Sequence, residues 1–276
     1  MFDTLRADGR PLLMGILNVT PDSFSDGGSF MDLEAACAAA ERMVAAGADI
    51  IDIGAESSRP GSLAVDAQMQ IERVLPVMAA LLSRLPANTV LSIDTRSVEV
   101  ACAALRAGAR LVNDIAAGAA TGMLETVAEH GAAIALMHMQ GTPVTMQDAP
   151  HYVDVVTEVR DFLLQRAALA ERAGIPRARI ALDPGIGFGK TRTHNLRLLS
   201  ALGELVACGY PVLLGTSRKR FMGAVCGESN PHELLGATCA TTALGVAAGV
   251  RILRVHDMKA NRQAADVAWA IEQARR

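Results

Sequence analysis

The feature that most constrains this chain is an eightfold alternation. Short runs rich in leucine and β-branched residues recur at 12–19, 49–54, 90–95, 111–115, 133–139, 180–183, 212–215 and 252–256. Each ends in polar or glycine-rich sequence. The intervening stretches carry helical patterning, at 33–46, 69–82, 98–107, 123–130, 153–173, 196–207, 234–249 and 260–273. Brief, uniformly apolar runs read as strands covered on both faces. Parallel strands need crossover helices, so the alternation predicts an α/β fold with a parallel sheet. Eight repeats within 276 residues predict a (β/α)8 TIM barrel forming a single domain over 1–276. An open, doubly wound sheet is the alternative. Gly47, Gly108 and Gly131 each fall just past a helical stretch, where a left-handed cap is wanted.

Composition narrows the setting. Hydrophobic residues make up 51% of the chain but aromatics only 3%, so alanine, leucine and valine must fill the core. The formal net charge is −3, and no lysine or arginine run forms a phosphate-tracking stripe, which argues against nucleic-acid binding. Cys37, Cys102, Cys208, Cys226 and Cys239 are scattered without a CxxC pair, as in a protein of a reducing compartment. No apolar run approaches the ~18 residues of a membrane helix, and the first residues lack a signal core. The expectation is a cytoplasmic enzyme without a membrane segment.

In a barrel, chemistry collects at the C-terminal ends of the strands. Strand one ends at Asn18, which is either a turn former or a neutral oxygen ligand for a hard cation. The segment after it contains Phe24, Asp26, Gly27 and Gly28, and is suited to closing over a substrate. Strand two leads into Ser58-Arg59-Pro60-Gly61, where Arg59 is either solvated or available to an anion. These two irregular stretches, 20–31 and 56–66, are long for βα loops, and such loops are usually functional. Asp94 ends strand three. An aspartate there is often a helix cap, but Ser97 lies closer to the helix. Asn113 and Asp114 end strand four, and Asp183 ends strand six. Together Asp94, Asn113 and Asp183 suit a heterocycle edge rich in N–H and C=O groups.

The segment from Gly185 to Thr191 looks like a phosphate loop and is not one. A Walker A pattern needs glycine five residues before Gly189, where this chain has Pro184. Strand seven leads to Ser217, Arg218, Lys219 and Arg220, three consecutive cations at a helix start. Cations there oppose the helix dipole, and a bound anion relieves that cost. In strand eight Arg254 and His256 are two apart and face the same way, a plausible anion clamp. His138 reads as a packed, supporting histidine, and His194 and His232 as structural. Trp269 reads as a packing or subunit-contact residue.

Taken in order, these motifs resemble the dihydropteroate synthase family. The resemblance rests on Asn18-Val-Thr-Pro-Asp-Ser-Phe-Ser-Asp-Gly-Gly, Gly54-Ala-Glu-Ser-Ser-Arg-Pro-Gly, Ile93-Asp-Thr and Val112-Asn-Asp-Ile. It continues through Met137-His-Met-Gln-Gly-Thr-Pro, Asp183-Pro-Gly-Ile-Gly-Phe-Gly-Lys, Thr216-Ser-Arg-Lys and Arg254-Val-His-Asp. One departure is Ser58, where the family often has threonine.

The resemblance implies a reaction in which a dihydropterin-methyl diphosphate loses pyrophosphate and p-aminobenzoate takes its place. It implies that Asp94, Asn113, Asp183 and Lys219 hold the pterin, with Ile115, Met137 and Phe188 beside it. Ser58, Arg59, Arg254 and His256 would meet the diphosphate, and Asn18 would help bind Mg2+. Phe24, Pro60, Phe188, Ser217 and the Arg220 backbone would frame p-aminobenzoate. The catalytic set implied is Asp26, Arg59, Lys219, Arg254 and His256. A homodimer through the late helices is implied as well. Two other readings stay open: a non-catalytic pterin-binding paralogue and a pterin-dependent methyltransferase.

Overall fold

The computed structural model describes residues 1–2, 8–19, 30–57, 61–62 and 64–275. Among them eight strands form one sheet: β1 (Leu12–Asn18), β2 (Ile50–Gly54), β3 (Val90–Asp94), β4 (Leu111–Asp114), β5 (Ala133–Met137), β6 (Ile180–Asp183), β7 (Leu213–Leu214) and β8 (Ile252–Val255). Their spatial order is β6-β5-β4-β3-β2-β1-β8-β7, and the named pairs are all parallel. A further parallel bridge, Leu182 to Val212, joins β6 to the β7 side and closes the ring. The result is the expected (β/α)8 barrel.

The helices are α1 (Phe30–Ala45), α2 (Ala67–Arg84), α3 (Val98–Arg106), α4 (Met123–Glu129), α5 (Val155–Arg172), α6 (Arg192–Ser200), α7 (Leu202–Val206), α8 (Arg220–Cys226), α9 (Leu235–Ala247) and α10 (Met258–Ala274). Three details differ from the sequence reading. The stretch at 196–207 is two helices. The Ser200 hydroxyl takes the Arg197 carbonyl at 2.8 Å and Ala201 N turns to Leu198 O, which ends the ladder of α6. Strand seven is a two-residue strand, preceded by Val212 in an isolated bridge to Leu182. The short helix α8 is additional to the eight amphipathic stretches. Gly47, Gly108 and Gly131 do adopt positive φ past their helices.

Strand alternation sorts the core into two bodies. Residues such as Leu13, Ile51, Ile53, Leu91, Ile93, Val112 and Ile134 face outward and pack against the helices. Inward-facing Leu12, Met14, Ile50, Val90, Leu111, Ala133, Ala135, Ala181, Leu213 and Ile252 fill the base of the barrel, with Phe2 buried among them. The outer body is mostly aliphatic, as the low aromatic content requires. Trp269 lies against that body and over Gly9. No described helix is long and apolar enough to cross a membrane.

Candidate active site

Above the apolar base, the same inward-facing positions become polar. Leu111 is followed two residues on by Asn113, Val90 by Ser92 and Asp94, Ile50 by Asp52, and Ile252 by Arg254. The structure joins these side chains across the barrel. Arg254 Nε donates to Asp52 Oδ2 at 2.7 Å, and its Nη2 donates to Asp94 Oδ2 at 2.6 Å. Asn113 Nδ2 donates to Asp52 Oδ2 at 2.9 Å, and Ser92 Oγ donates to Asp52 Oδ1 at 2.6 Å. Asp52 is fully buried. One guanidinium therefore spans two carboxylates inside the ring, which is how a low-dielectric interior tolerates such charges.

Asp94 is free for this role because Ser97 caps α3, accepting from Val100 N at 3.3 Å. The helix-cap reading of Asp94 is thereby excluded. Burial pushes the Asp94 carboxyl up to about 7, against the pull of Arg254 and with the push of Asp52. Burial by itself lowers Arg254, but Asp52 and Asp94 outweigh it and hold the guanidinium firmly charged.

The β6 end builds the other half of the mouth. Asp183 Oδ1 accepts from Gly185 N at 2.7 Å. Burial raises the Asp183 carboxyl, and Lys219 opposes that rise. Lys219 arrives from the loop after β7, donates to the Ile186 carbonyl, and lies 4.6 Å over the Phe188 ring. Burial pulls its ammonium down to about 8. Gly187 has φ +84, and a methyl there would stand 3.0 Å from Lys219 Cδ. Gly185 and Gly189 also have positive φ, and methyls on them would overlap the carbonyls of His138 and Gln140. The glycines bring this turn against β5 and against Lys219, and the N–H groups of Gly185 and Gly187 are taken by Asp183 and Asn195.

That turn is held from behind. Lys190 Nζ contacts His138 Nδ1 at 2.9 Å and donates to Phe188 O at 2.9 Å and His138 O at 3.2 Å. Tyr152 Oη donates to Gly189 O at 2.7 Å, and Asn195 Oδ1 accepts from Gly187 N at 2.7 Å. Burial pulls Lys190 down to about 7, and burial with Lys190 beside it takes His138 down to about 3. His138 is thus a neutral acceptor, the supporting histidine expected. His194 closes a capping box with Thr191 at the start of α6.

The last two strands are clipped together. Ser217 Oγ meets His256 N at 3.2 Å and His256 Nδ1 at 2.9 Å. Arg218, at φ +58, makes a two-pronged pair with Asp257 at 3.1 and 2.7 Å and reaches His232 Nδ1 at 3.2 Å. Ser217 and Arg218 thus make the clip, while Lys219 reaches the β6 turn. Asn18 ends β1 beside Gly54. Ile115 and Met137 are buried at the ends of β4 and β5. Arg220 opens α8 and is exposed. Phe24, Asp26, Ser58, Arg59 and Pro60 lie outside the described residues.

Sequence reasoning missed Asp52, the most connected carboxylate of the mouth, and gave no role to Lys190 or to the Arg218–Asp257 clip. A signal for Asp52 existed. It interrupts an apolar strand and shares the inward parity of Ile50 and Gly54, the same argument that paired Arg254 with His256.

The mouth has a readable polarity. Among the described residues, nothing donates to Asp94 Oδ1, Asn113 Oδ1 or Asp183 Oδ2, while the Lys219 ammonium has N–H groups to spare. Three open acceptors and one donor at the top of a β/α barrel are complementary in hydrogen bonding to a flat heterocycle whose edge is rich in N–H. The class is that of the pterin binding enzymes, and that family matches residues 14–256. The chain is 45% identical to a dihydropteroate synthase of Synechocystis over 263 residues, 95% of this chain and 90% of that protein. A structure of the Xanthomonas albilineans dihydropteroate synthase with 4-aminobenzoic acid superposes with a TM-score of 0.88 at 44% identity, covering 95% of this chain and 93% of that one. Another, of the Xanthomonas enzyme in complex with 7,8-dihydropteroate, gives 0.85 at 42% identity and covers 98% and 95%. The chain belongs to the dihydropteroate synthase family, transferases of folate biosynthesis.

Proposed function

We propose that the chain condenses (7,8-dihydropterin-6-yl)methyl diphosphate with p-aminobenzoate, giving dihydropteroate and pyrophosphate, and that one barrel domain does so. The observation that carries the site assignment is the set of open acceptors on Asp94, Asn113 and Asp183 facing the open donors of Lys219. That pattern complements the N–H-rich edge and the carbonyl of a 2-amino-4-oxo heterocycle. Ile115, Met137 and Phe188 supply the apolar walls.

The chemistry follows from the substrate's charge. Breaking the methylene C–O bond sends the electron pair to the diphosphate and leaves positive charge that the fused pterin ring delocalises. Arg254 and His256 are assigned to the departing charge, where fixed cations act most strongly. The aniline nitrogen then forms the new C–N bond and releases its proton to water or to the departing phosphate. A neutral arylamine near pH 7 needs no strong base, and Ser217, bonded to His256, would orient the second substrate. Phe188 and the Arg220 backbone complete that subsite, with Phe24 and Pro60 supplied by the early loops. Ser58 and Arg59 are proposed to act on the diphosphate and Asp26 to belong to the catalytic set; all three lie outside the described residues.

Mg2+ fits this donor set as an ion arriving with the diphosphate. The described residues hold no group of three or more metal-binding side chains, and Asn18 offers one neutral oxygen at the β1 end. Magnesium is commonly held by few protein oxygens together with substrate phosphates and water. It would supply charge neutralisation on the leaving group.

The protein is proposed to be cytoplasmic and homodimeric. Leu244 on α9 and Val267 and Ile271 on α10 are exposed on adjacent late helices, consistent with a covered apolar face. The test of function is to supply the pterin diphosphate, p-aminobenzoate and Mg2+ and to measure pyrophosphate and dihydropteroate. Equimolar formation of both is expected. Tight pterin binding without turnover overturns the enzyme reading in favour of the binding paralogue.

A further inference from the structure

We infer that Asp52 is a positioning residue that orients Asn113 and Arg254 through one carboxylate, so that Asn113 turns its carbonyl to the ligand and the ligand edge opposite β4 must carry an N–H. This rests on the reading of Asn113 as a pterin contact.

The argument begins with what Asp52 can do. Its oxygens receive a hydroxyl from Ser92, an amide N–H from Asn113 and a guanidinium N–H from Arg254. A carboxylate so surrounded only accepts. An asparagine amide by itself is ambivalent, because its two arms have nearly the same shape and opposite hydrogen-bonding character. Asp52 removes the ambivalence. The NH2 arm of Asn113 must face β2, and the carbonyl arm is left over, with no donor among the described residues.

The same carboxylate sets Arg254. Its Nε is fixed by Asp52 and its Nη2 by Asp94, so the plane of the guanidinium is defined at two points. Asp52 therefore links the residue assigned to the heterocycle with the residue assigned to the leaving group. It does so without reaching the substrate itself, since it is 0% exposed beneath both. Asp52 lies opposite Ile16 and Ser92, one inward position below the Gly54–Asp94 level that borders the mouth. A buried carboxylate that accepts on both oxygens in this way fixes the orientation of its donors more tightly than its separate bonds would.

The experiment is a double-mutant cycle on ligand binding, with calorimetry as the readout. The probes are 6-hydroxymethylpterin for the heterocycle and inorganic pyrophosphate with Mg2+ for the leaving group. Asn113→Ala and Asp52→Leu should each weaken pterin binding by about tenfold or more, because each removes a charge-assisted or fixed hydrogen bond. The double variant should bind no worse than the weaker single variant, since both changes remove one interaction. Asp52→Leu should also weaken pyrophosphate, and Asn113→Ala should not.

Multiplicative losses in the double variant would overturn the inference, because Asp52 would then act independently of Asn113. Unchanged pterin binding in Asn113→Ala would instead bring down the site assignment, and this inference with it. If Asp52→Leu fails to fold, nitrogen-15 spectra of the wild type decide. The Asn113 side-chain NH2 should resist exchange before and after pterin binds. Transfer of that NH2 onto the ligand would overturn the inference.

Discussion

The two ends of this barrel are made from the same strands and the same inward-facing parity, yet they do opposite things. At the base, Leu12, Ile50, Val90, Leu111 and Ile252 close the ring with Phe2 among them. One inward position higher, the same strands carry Asp52, Ser92, Asn113 and Arg254. Polar groups are affordable there because the apolar layer beneath fixes strand register, and because nearly every buried donor has a named acceptor. The base holds the strands so that the mouth can keep carboxylates at unfavourable charge.

The largest expected effect tests whether that division is complete. Arg254→Ala should reduce kcat/KM for the pterin diphosphate by about a hundredfold or more, as loss of a fixed transition-state donor does. It should also lower the unfolding free energy by about 3–5 kcal/mol, because Asp52 and Asp94 lose their shared cation. Steady-state kinetics and denaturant titration measure the two. Unchanged kinetics would remove Arg254 from the leaving-group site.

Leu111→Ala, two residues below Asn113 on β4, should cost about 2–5 kcal/mol of stability through the cavity it leaves. Its kcat/KM should stay within about twofold of wild type, because the packing lost lies below the polar layer. Loss of activity at full folding would show that base and mouth are mechanically coupled.

The next prediction concerns pH. Asp94 is held up to about 7 by burial, so the folded state keeps a proton that the unfolded chain has already released. Stability from this group is present at low pH and is lost as pH rises to about 7. Lys190 and Lys219 are pulled down to about 7 and about 8 by burial, so they add stability as pH climbs above those values. Thermal melts of the ligand-free protein should therefore pass through a minimum near neutrality. Asp94→Asn should flatten the acidic arm by a few degrees. An identical pH profile in that variant would refute the assignment.

The smallest effect is at Ser97. Ser97→Ala removes the α3 cap and should cost about 1 kcal/mol in denaturant titration while leaving kcat/KM unchanged. A large loss of activity there would return Asp94 to the capping role the structure takes from it.

Much of this was legible in the sequence because it follows from local periodicity. All eight strands fall within the predicted runs, and the glycine caps take the φ values their positions demand. The break at Ala201 was not legible, since it depends on one serine hydroxyl choosing a carbonyl three residues back. For the mouth, sequence identified the polar strand ends but not their mutual bonds. Arg254 reads as a free cation beside His256. Its partners, Asp52 and Asp94, lie 202 and 160 residues away and become visible only when the ring closes. Asp52 shows why the miss happened: one charge inside Ile-Ile-Asp-Ile-Gly reads as a tolerated exception to a strand.

Arg251 gives that ring closure a temporal meaning. At the foot of β8, its guanidinium holds the carbonyls of Phe2, Gly9 and Arg10, which precede it by 249, 242 and 241 residues. During synthesis, the strand at the front of the chain has no partner on its outer side until residues 252–255 leave the ribosome. A nascent barrel must therefore carry one exposed, hydrogen-bond-hungry edge for nearly its whole translation. Ribosomes slowed just before Arg251 should accumulate chains that invite chaperones, and chains released just beyond β8 should not.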